Sequence, residues 1–461
     1  MTDTISLEQT LGPDGPDIVR AMRAALEFLD SHSTEQLLER VGQHIDAVPA
    51  IEPVGTNALQ NSYGGSRTAP SDDLLAGRGM FYITEQRKLC LDCTSGHYQM
   101  LWGYNDPLLG RAVEEAAAAG IVWDNHCNIP QTPVKLLAHR LVSLANSPAE
   151  PDPLDTVLLG CCTGSVACAA ALKIQLICHE RRSATGSVPV MVVLEGNYHG
   201  TDMICQRLRG MWERYVGDLE VVEVQPNDEA ELRAVFERHG RRVAGFWAEP
   251  VMMNREVIPV SIDYLQLARR CCDEVGALMC IDEIQTGFWQ PEVFAFRTLG
   301  IVPDLVIVGK GMTAGFHPLA AVIYKSRLDV LEQYDAISTN GSAPLPSYVA
   351  LCCLDRIASE SQRIVAVGDR FAAAMSAVAG EFGDVLADAR GRRHMIGLKF
   401  REVADAIDFH RRAVEAGLWV RVHAYHEGHS TLLTKLPLCA DETVVDFIAE
   451  KFRSLLRDAG A

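Results

Sequence analysis

The chain has 461 residues, 48% of them hydrophobic, with 36 glycines and only 7% aromatic residues. That is enough for a large core and more than one domain, and it suits an α/β protein better than a sandwich of short strands. A formal charge of −18, with no Lys/Arg run to offset it, argues against nucleic-acid binding.

No apolar run reaches the roughly 20 residues of a membrane span. The polar, acidic start MTDTISLEQTLGPDG lacks the basic-then-apolar order of a signal peptide, so a cytoplasmic protein without membrane attachment is expected. The fourteen cysteines lie mostly in apolar segments, several as adjacent pairs such as Cys161–Cys162 and Cys271–Cys272. They are expected to be small buried thiols in a reducing compartment. Cys90 and Cys93 form one CxxC, but no second CxxC or Cys/His pair stands at zinc spacing, so no metal site is expected.

In chain order, residues 1–60 read as an N-terminal helical segment. Ile18 to Leu29 and Ser33 to Ile45 carry apolar residues at helical spacing, the second opened by Ser33 or Thr34 as a cap. Ser62 to Pro70 reads as loop, and residues 61–150 as the first part of a smaller domain.

Residues 151–345 form a large α/β domain. Seven β-rich runs recur there, at 155–160, 190–196, 219–224, 243–250, 277–282, 304–310 and 318–325. Most are apolar on both faces, as in central strands covered on both sides. Helical stretches at Ser165–Arg181, Glu229–His239 and Ile262–Val275 separate several of them, which predicts a mostly parallel sheet. Gly311 to His317 is too short for a helical crossover, so one strand there runs antiparallel. Residues 346–461 predict the rest of a smaller α+β domain, dominated by helices, with a strand at 395–400 and a closing helix from Asp441 to Leu456.

Ligands of open α/β sheets collect at the carboxyl ends of the strands. The candidates there are Gly160–Ser165, Asn197–His199, Glu249, Asp282–Gln285 and Lys310. Lys310 is one of only eight lysines and ends an apolar strand; desolvation would lower its pKa, as Schiff-base chemistry requires. Asp282 ends another apolar strand 28 residues earlier, and a carboxylate in a dry site asks for a cation such as a protonated pyridine nitrogen. Thr163, Gly164 and Ser165 open a helix after a strand, a ready phosphate site. Tyr198 and His199, past another strand end, offer an aromatic ring for stacking on a planar cofactor.

Together these residues resemble the class III (ornithine/ω-amino-acid type) aminotransferase family of fold-type I enzymes dependent on pyridoxal 5′-phosphate (PLP). The likeness spans about residues 78–455 in consistent order: Asp92, Ser95 and Gly96 in DCTSG, GYNDP (103–107), GNYHG (196–200), AEPV (248–251), IDEIQTGF (281–288), VGKGMTAGFHPLAAV (308–322), STNGSAPLP (338–346) and LPL (436–438). The resemblance implies a seven-stranded, mostly parallel sheet in the large domain and a homodimer with shared active sites. It implies that Lys310 forms the Schiff base and shuttles the substrate proton, while Asp282 holds the pyridine nitrogen protonated. Gln285 would contact the ring hydroxyl, Tyr198 would stack on one ring face beside His199, and Ile284 would lie behind the other. Gly164 and Ser165 would bind the phosphate, and Thr339 would reach the phosphate of the neighbouring subunit. Residues 61–150 would include the active-site entrance, where Tyr98 and Trp102 in GHYQMLWG suggest aromatic walls and a partly apolar substrate.

The chain departs from the family pattern in three places. Val166 stands where the phosphate loop has Glu, and Met252-Met253-Asn254 replaces Gln-Gly-Glu after Glu249-Pro250-Val251. Leu433 stands where many members carry the arginine that binds the α-carboxylate of glutamate, and Asn254 stands where they carry the acidic residue that masks it. Lys435 and Arg421 are candidates to substitute. The expected activity is amino transfer between an amine or amino acid and a carbonyl acceptor. An epimerase, aminomutase, decarboxylase or carbon–carbon bond-forming enzyme of specialised metabolism is the alternative on the same cofactor. A binding protein that merely kept the fold is a third reading, against which Lys310, Asp282 and Gln285 all stand.

Overall fold

The structure, a computed structural model, describes residues 5–54, 72–125, 128–183, 187–424, 426 and 428–458. The Ser62–Pro70 segment expected to be loop lies outside them. The chain divides into two compact units. One comprises Met1–His97, Trp102–Pro107 and Val367–Ala461, the other Tyr98–Leu101 and Leu108–Ala366. Residues 108–150, grouped with the smaller domain on sequence, therefore belong to the larger unit. The reason is packing: the helix Thr132–Ala145 buries Val134, Leu137 and Leu141 and contacts the helix Pro344–Ser359 and the strand Thr156–Cys161.

The larger unit carries the expected seven-stranded sheet. Its spatial order is Thr156–Cys161, Ala320–Tyr324, Leu305–Val308, Leu278–Asp282, Val243–Ala248, Val190–Leu194 and Glu220–Val224. All neighbours pair in parallel except Ala320–Tyr324, which runs antiparallel to both of its partners. The six residues between Lys310 and His317 do return the chain directly, as their length requires. Central strands are buried along their whole length, which is why they read as unbroken apolar runs rather than alternating ones.

The helices between strands begin and end where their terminal residues dictate. Glu229–His239 is capped by Asp228, whose side chain accepts from Glu231 N, and it carries acid in the first turn and base in the last. Ile262–Val275 is capped by Ser261 and stopped by Gly276 at φ +73, a left-handed turn that glycine adopts without strain.

In the smaller unit, Leu74–Arg78, Phe81–Thr84 and Leu89–Asp92 form an antiparallel meander joined by Leu418–Trp419. A second antiparallel sheet orders Leu386–Arg392, Met395–Phe400, Thr431–Lys435 and Arg421–His423. Only Met395–Phe400 was legible as a strand in the C-terminal region. Leu386–Arg392 is mostly polar and half-buried or exposed after its first residue, so no apolar pattern marks it. Near the N-terminus, Gly15–Ser31 is helical, and Ser33 does cap the next helix in a capping box with Gln36. That helix ends at Leu38 rather than Ile45. The chain turns at Gly42, φ +87, where a Cβ would stand 2.6 Å from Ala416 O.

One ion cluster fastens the amino-terminal edge of the large sheet. Buried Asp304 accepts from Arg269 Nη1 (2.7 Å), Lys325 Nζ (3.1 Å), Arg327 Nη2 (3.1 Å) and the amide of Met279 (2.9 Å). Removing the carboxylate leaves Lys325 and Arg269 short of their buried partner. Asp304→Ala is therefore expected to cost roughly 3–5 kcal/mol in chemical denaturation at neutral pH. A loss below about 1 kcal/mol, the level of an exposed pair, would show that the cluster does not hold the sheet.

Candidate active site

Register brings three titratable groups to the carboxyl end of adjoining strands. Ile281 pairs with Ala248, so Glu249 and Asp282 leave neighbouring strands side by side. Asp282 in turn pairs with Ile307, three residues before Lys310. Lys310 follows Gly309 directly and opens a short helical turn with φ +29. A left-handed lysine is strained, and such strain persists only where surroundings impose it. Gly311 is required next to it, because a Cβ there would lie 2.3 Å from Trp289. Burial pushes the Lys310 ammonium below its ordinary range, against the opposing pull of Asp282 and Glu249.

Asp282 is nearly fully buried and its oxygens are occupied. Oδ2 accepts from His199 Nδ1 at 2.7 Å and from the Cys168 thiol at 3.6 Å, while Oδ1 accepts from Ile284 N at 2.9 Å. Cys168, His199 and Asp282 bring groups capable of binding a metal within 4.8 Å of one another. Burial, however, holds the Cys168 thiol well above its usual range, and a protonated thiol is a poor ligand. Glu249 Oε1 accepts from Tyr198 N at 2.9 Å, and the Lys310 ammonium lies 5.9 Å from the centre of the Tyr198 ring. The Arg209 guanidinium lies 5.3 Å from the same ring centre.

A cavity of about 310 Å³ opens over Lys310, lined among others by Gln99, Cys162, Thr163, Gly164, Thr313 and His317. Thr163 caps the helix Gly164–Arg182, so the unbonded N–H groups of that helix's first turn open here. A Cβ on Gly164 would come within 2.7 Å of Ile284 Cδ1; only glycine lets the turn pack on Ile284. The Ser165 hydroxyl faces elsewhere, accepting from Thr201 N at 3.1 Å. Gln285 Nε2 donates to Asn254 Oδ1 at 3.0 Å. Thr339 is exposed on a turn pinned to the strand end by Ser338 N and Ser338 Oγ, both donating to Gly160 O at 2.9 Å.

Of the residues singled out on sequence, Lys310 and Gly164 line the cavity. Asp282, His199, Tyr198, Ile284 and Gln285 are not among its lining residues; Ile284 abuts Gly164, Tyr198 lies near Lys310, and His199 bonds Asp282. Trp102 is 0% and Tyr98 4% exposed, so both are packing residues rather than aromatic walls. The residue of that segment that does line the cavity is Gln99, which no sequence pattern marked. In the smaller unit Leu433 is fully buried and paired with Gly397 and Arg421. Lys435 is fully buried too, and Arg421 Nη1 donates to His97 Nδ1 at 2.7 Å.

A strand-end lysine stripped of water, a carboxylate one strand away and a helix N-terminus open to the cavity over that lysine are the groups a fold-type I enzyme uses to hold PLP. The residues are of the kind that group needs: Asp282 could meet a ring nitrogen, and the Gly164 turn a phosphate. The comparisons with known proteins agree. The profile of the family described as Aminotransferase class-III matches residues 73–456, and the chain belongs to that family.

Among curated relatives, the acetylornithine aminotransferase of Xylella fastidiosa is 29% identical over 339 residues, 70% of this chain and 78% of that one. The ornithine aminotransferase of Emericella nidulans is 31% identical over 207 residues, 41% and 45% of the two chains. The ornithine aminotransferase of Toxoplasma gondii superposes with a TM-score of 0.75 at 20% identity, covering 87% of this chain and 94% of that one. A transaminase from the marine bacterium Virgibacillus gives 0.74 at 19% identity, with coverage of 89% and 97%. The chain is a transferase of this PLP-dependent family.

Buried Glu283, next to Asp282, accepts from Phe296 N and Thr286 Oγ1, and burial raises its pKa from 4.5 to about 7. The folded state thus keeps a proton that the unfolded chain gives up, and stability falls as pH rises from about 4.5 to 7. Glu283→Gln removes this loss. Its melting temperature relative to the parent should climb between pH 5 and pH 8, by up to roughly 3 kcal/mol of stability. A difference independent of pH would refute the assignment.

Proposed function

We propose that this chain is a PLP-dependent aminotransferase, moving an amino group between an amine or amino acid and a carbonyl acceptor, with Lys310 holding the cofactor as a Schiff base. The observation that carries the reading is the pairing of desolvated Lys310 with Asp282 on the next strand. Asp282, held by His199 and the Ile284 amide, would pair with the pyridine nitrogen of a bound PLP. Tyr198 and Ile284 would hold the ring, Gln285 would contact its hydroxyl, and the turn at Gly164 would take the phosphate. Ser165, whose hydroxyl is engaged by Thr201 N, would serve there through its backbone N–H.

When bound, PLP supplies an electron sink for negative charge on the substrate carbon. Lys310 supplies the proton carrier: an amine already pushed toward its neutral form can take the proton from that carbon and return it. Asn254 and Leu433, in place of the family's acidic residue and arginine, support an amino couple other than glutamate and 2-oxoglutarate. The active unit in this reading is a cytoplasmic homodimer. No helix among the described residues is long and apolar enough to cross a membrane. Exposed Thr339 serves the phosphate site of the neighbouring subunit.

Holoenzyme given a panel of amines should convert PLP to the pyridoxamine form with at least one of them. Borohydride should trap the cofactor on the parent but not on Lys310→Ala. A trapped adduct that survives the substitution, or no conversion with any donor, overturns the reading. The dimer claim has a separate check. Mixed dimers of Lys310→Ala and Thr339→Ala subunits should contain one intact site if Thr339 acts across the interface, and none with parental PLP affinity if it acts within its own subunit.

A further inference from the structure

One imidazole, that of His317, lines the cavity over Lys310, and the chemistry above gives it no task. Lys310 is committed to the Schiff base in that reading. Among the described residues no arginine and no carboxylate lines the cavity, so His317 is the one other side chain there that can carry positive charge. Topology puts it beside the phosphate turn. The strand Ala320–Tyr324 runs antiparallel to Thr156–Cys161, with Ala320 opposite Cys161. Carried past that last pair, the register sets Leu319 against Cys162, Pro318 against Thr163 and His317 against Gly164. All six of these residues line the same cavity, as that continuation requires.

The ring is also oriented. A carbonyl only accepts, so His317 Nδ1 carries the hydrogen of its 3.0 Å contact with Pro318 O. Thr313 Oγ1 donates to His317 O and holds the backbone from which the ring projects. Nε2, on the opposite edge, has no hydrogen-bond partner among the described residues. A phosphate monoester, meanwhile, carries close to two negative charges at neutral pH. The N-terminus of the Gly164–Arg182 helix offsets only about half of one.

We propose that His317 is a cofactor-binding residue, whose protonated imidazole donates from Nε2 to the phosphate of PLP and supplies charge that the helix N-terminus leaves unmet. An imidazolium has a hydrogen on each nitrogen, so the bond to Pro318 O is kept while Nε2 becomes a donor. The contact is a charge-assisted hydrogen bond, the stronger kind. It comes from the same subunit as Lys310, and so adds to the hydroxyl that Thr339 brings from the neighbouring one.

The inference rests on the PLP reading, and its test is separable from that reading. Apoenzyme of the parent, His317→Ala and His317→Gln is titrated by absorbance with PLP and with pyridoxal, the same aldehyde without its phosphate. His317 is partly exposed, so neither substitution opens a hole in the core. His317→Ala should bind PLP more weakly by roughly tenfold to a hundredfold, the worth of one hydrogen bond to a charged group, and should bind pyridoxal as the parent does. His317→Gln keeps an N–H donor without the charge, so its PLP affinity should fall between the two. Equal losses for PLP and pyridoxal would show that His317 only shapes the cavity, and unchanged PLP affinity in His317→Ala would show no contact; either overturns the inference. Both results leave the borohydride adduct at Lys310 of the parent intact, whereas failure of the cofactor reading abolishes that adduct.

Discussion

The large unit is organised around the desolvation of charge at one end of its sheet. Lys310, Asp282 and Glu249 leave three adjoining strands within a few residues of one another, in surroundings where an unpaired ion would be very costly. Each group is tolerable only because of the others. Asp282 and Glu249 oppose the burial that would otherwise drive the proton off Lys310, and His199 and the Ile284 amide satisfy Asp282. The strained backbone of Lys310 and the glycines flanking it are consequences of placing an amine there.

The opposite end of the same strands solves the same problem differently. Asp304 sits one residue before the strand that ends near Lys310, and it is saturated by Arg269, Lys325, Arg327 and a backbone amide. Both oxygens of Asp304 are met there, although Arg269 Nε is left without a partner among the described residues. The carboxyl-end cluster keeps an orphan oxygen on Glu249 and an orphan nitrogen on His199. A satisfied network fixes a fold, whereas an unsatisfied one among the described residues marks where a proton or a ligand completes the structure.

What was legible in the sequence follows from how each element is stabilised. The seven strands of the large sheet are buried on both faces, so composition alone exposed them, and the short return after Lys310 announced the antiparallel strand. The smaller unit's strands are short, most of three to seven residues, and Leu386–Arg392 and Arg421–His423 went unread. Lys310, Asp282 and Gly164 were found because strand ends are few and their residue types are unusual there. Gln99 was missed because its place depends on four consecutive residues, Ser95 to Tyr98, with positive φ. No pattern of residue types forecasts such a run. The same turn explains why Tyr98 and Trp102 point into packing instead of lining a pocket.

The two departures at Asn254 and Leu433 are best understood as one change. A glutamate at position 254 would add a third carboxylate next to Gln285, three residues beyond Asp282, in a neighbourhood that already holds Glu249 partly protonated at neutral pH. By the family resemblance an arginine would mask such a group, and leucine at 433 supplies no such cation. The amide of Asn254 removes the charge and keeps a hydrogen bond to Gln285 at 3.0 Å, so the residue that contacts the cofactor in this reading is still held. Loss of the arginine therefore favours loss of its acidic partner, and what is left beside Gln285 is a neutral pair whose state does not depend on pH. In the proposed reading such a site has no charged gate, and selection among donors would fall to the cavity over Lys310.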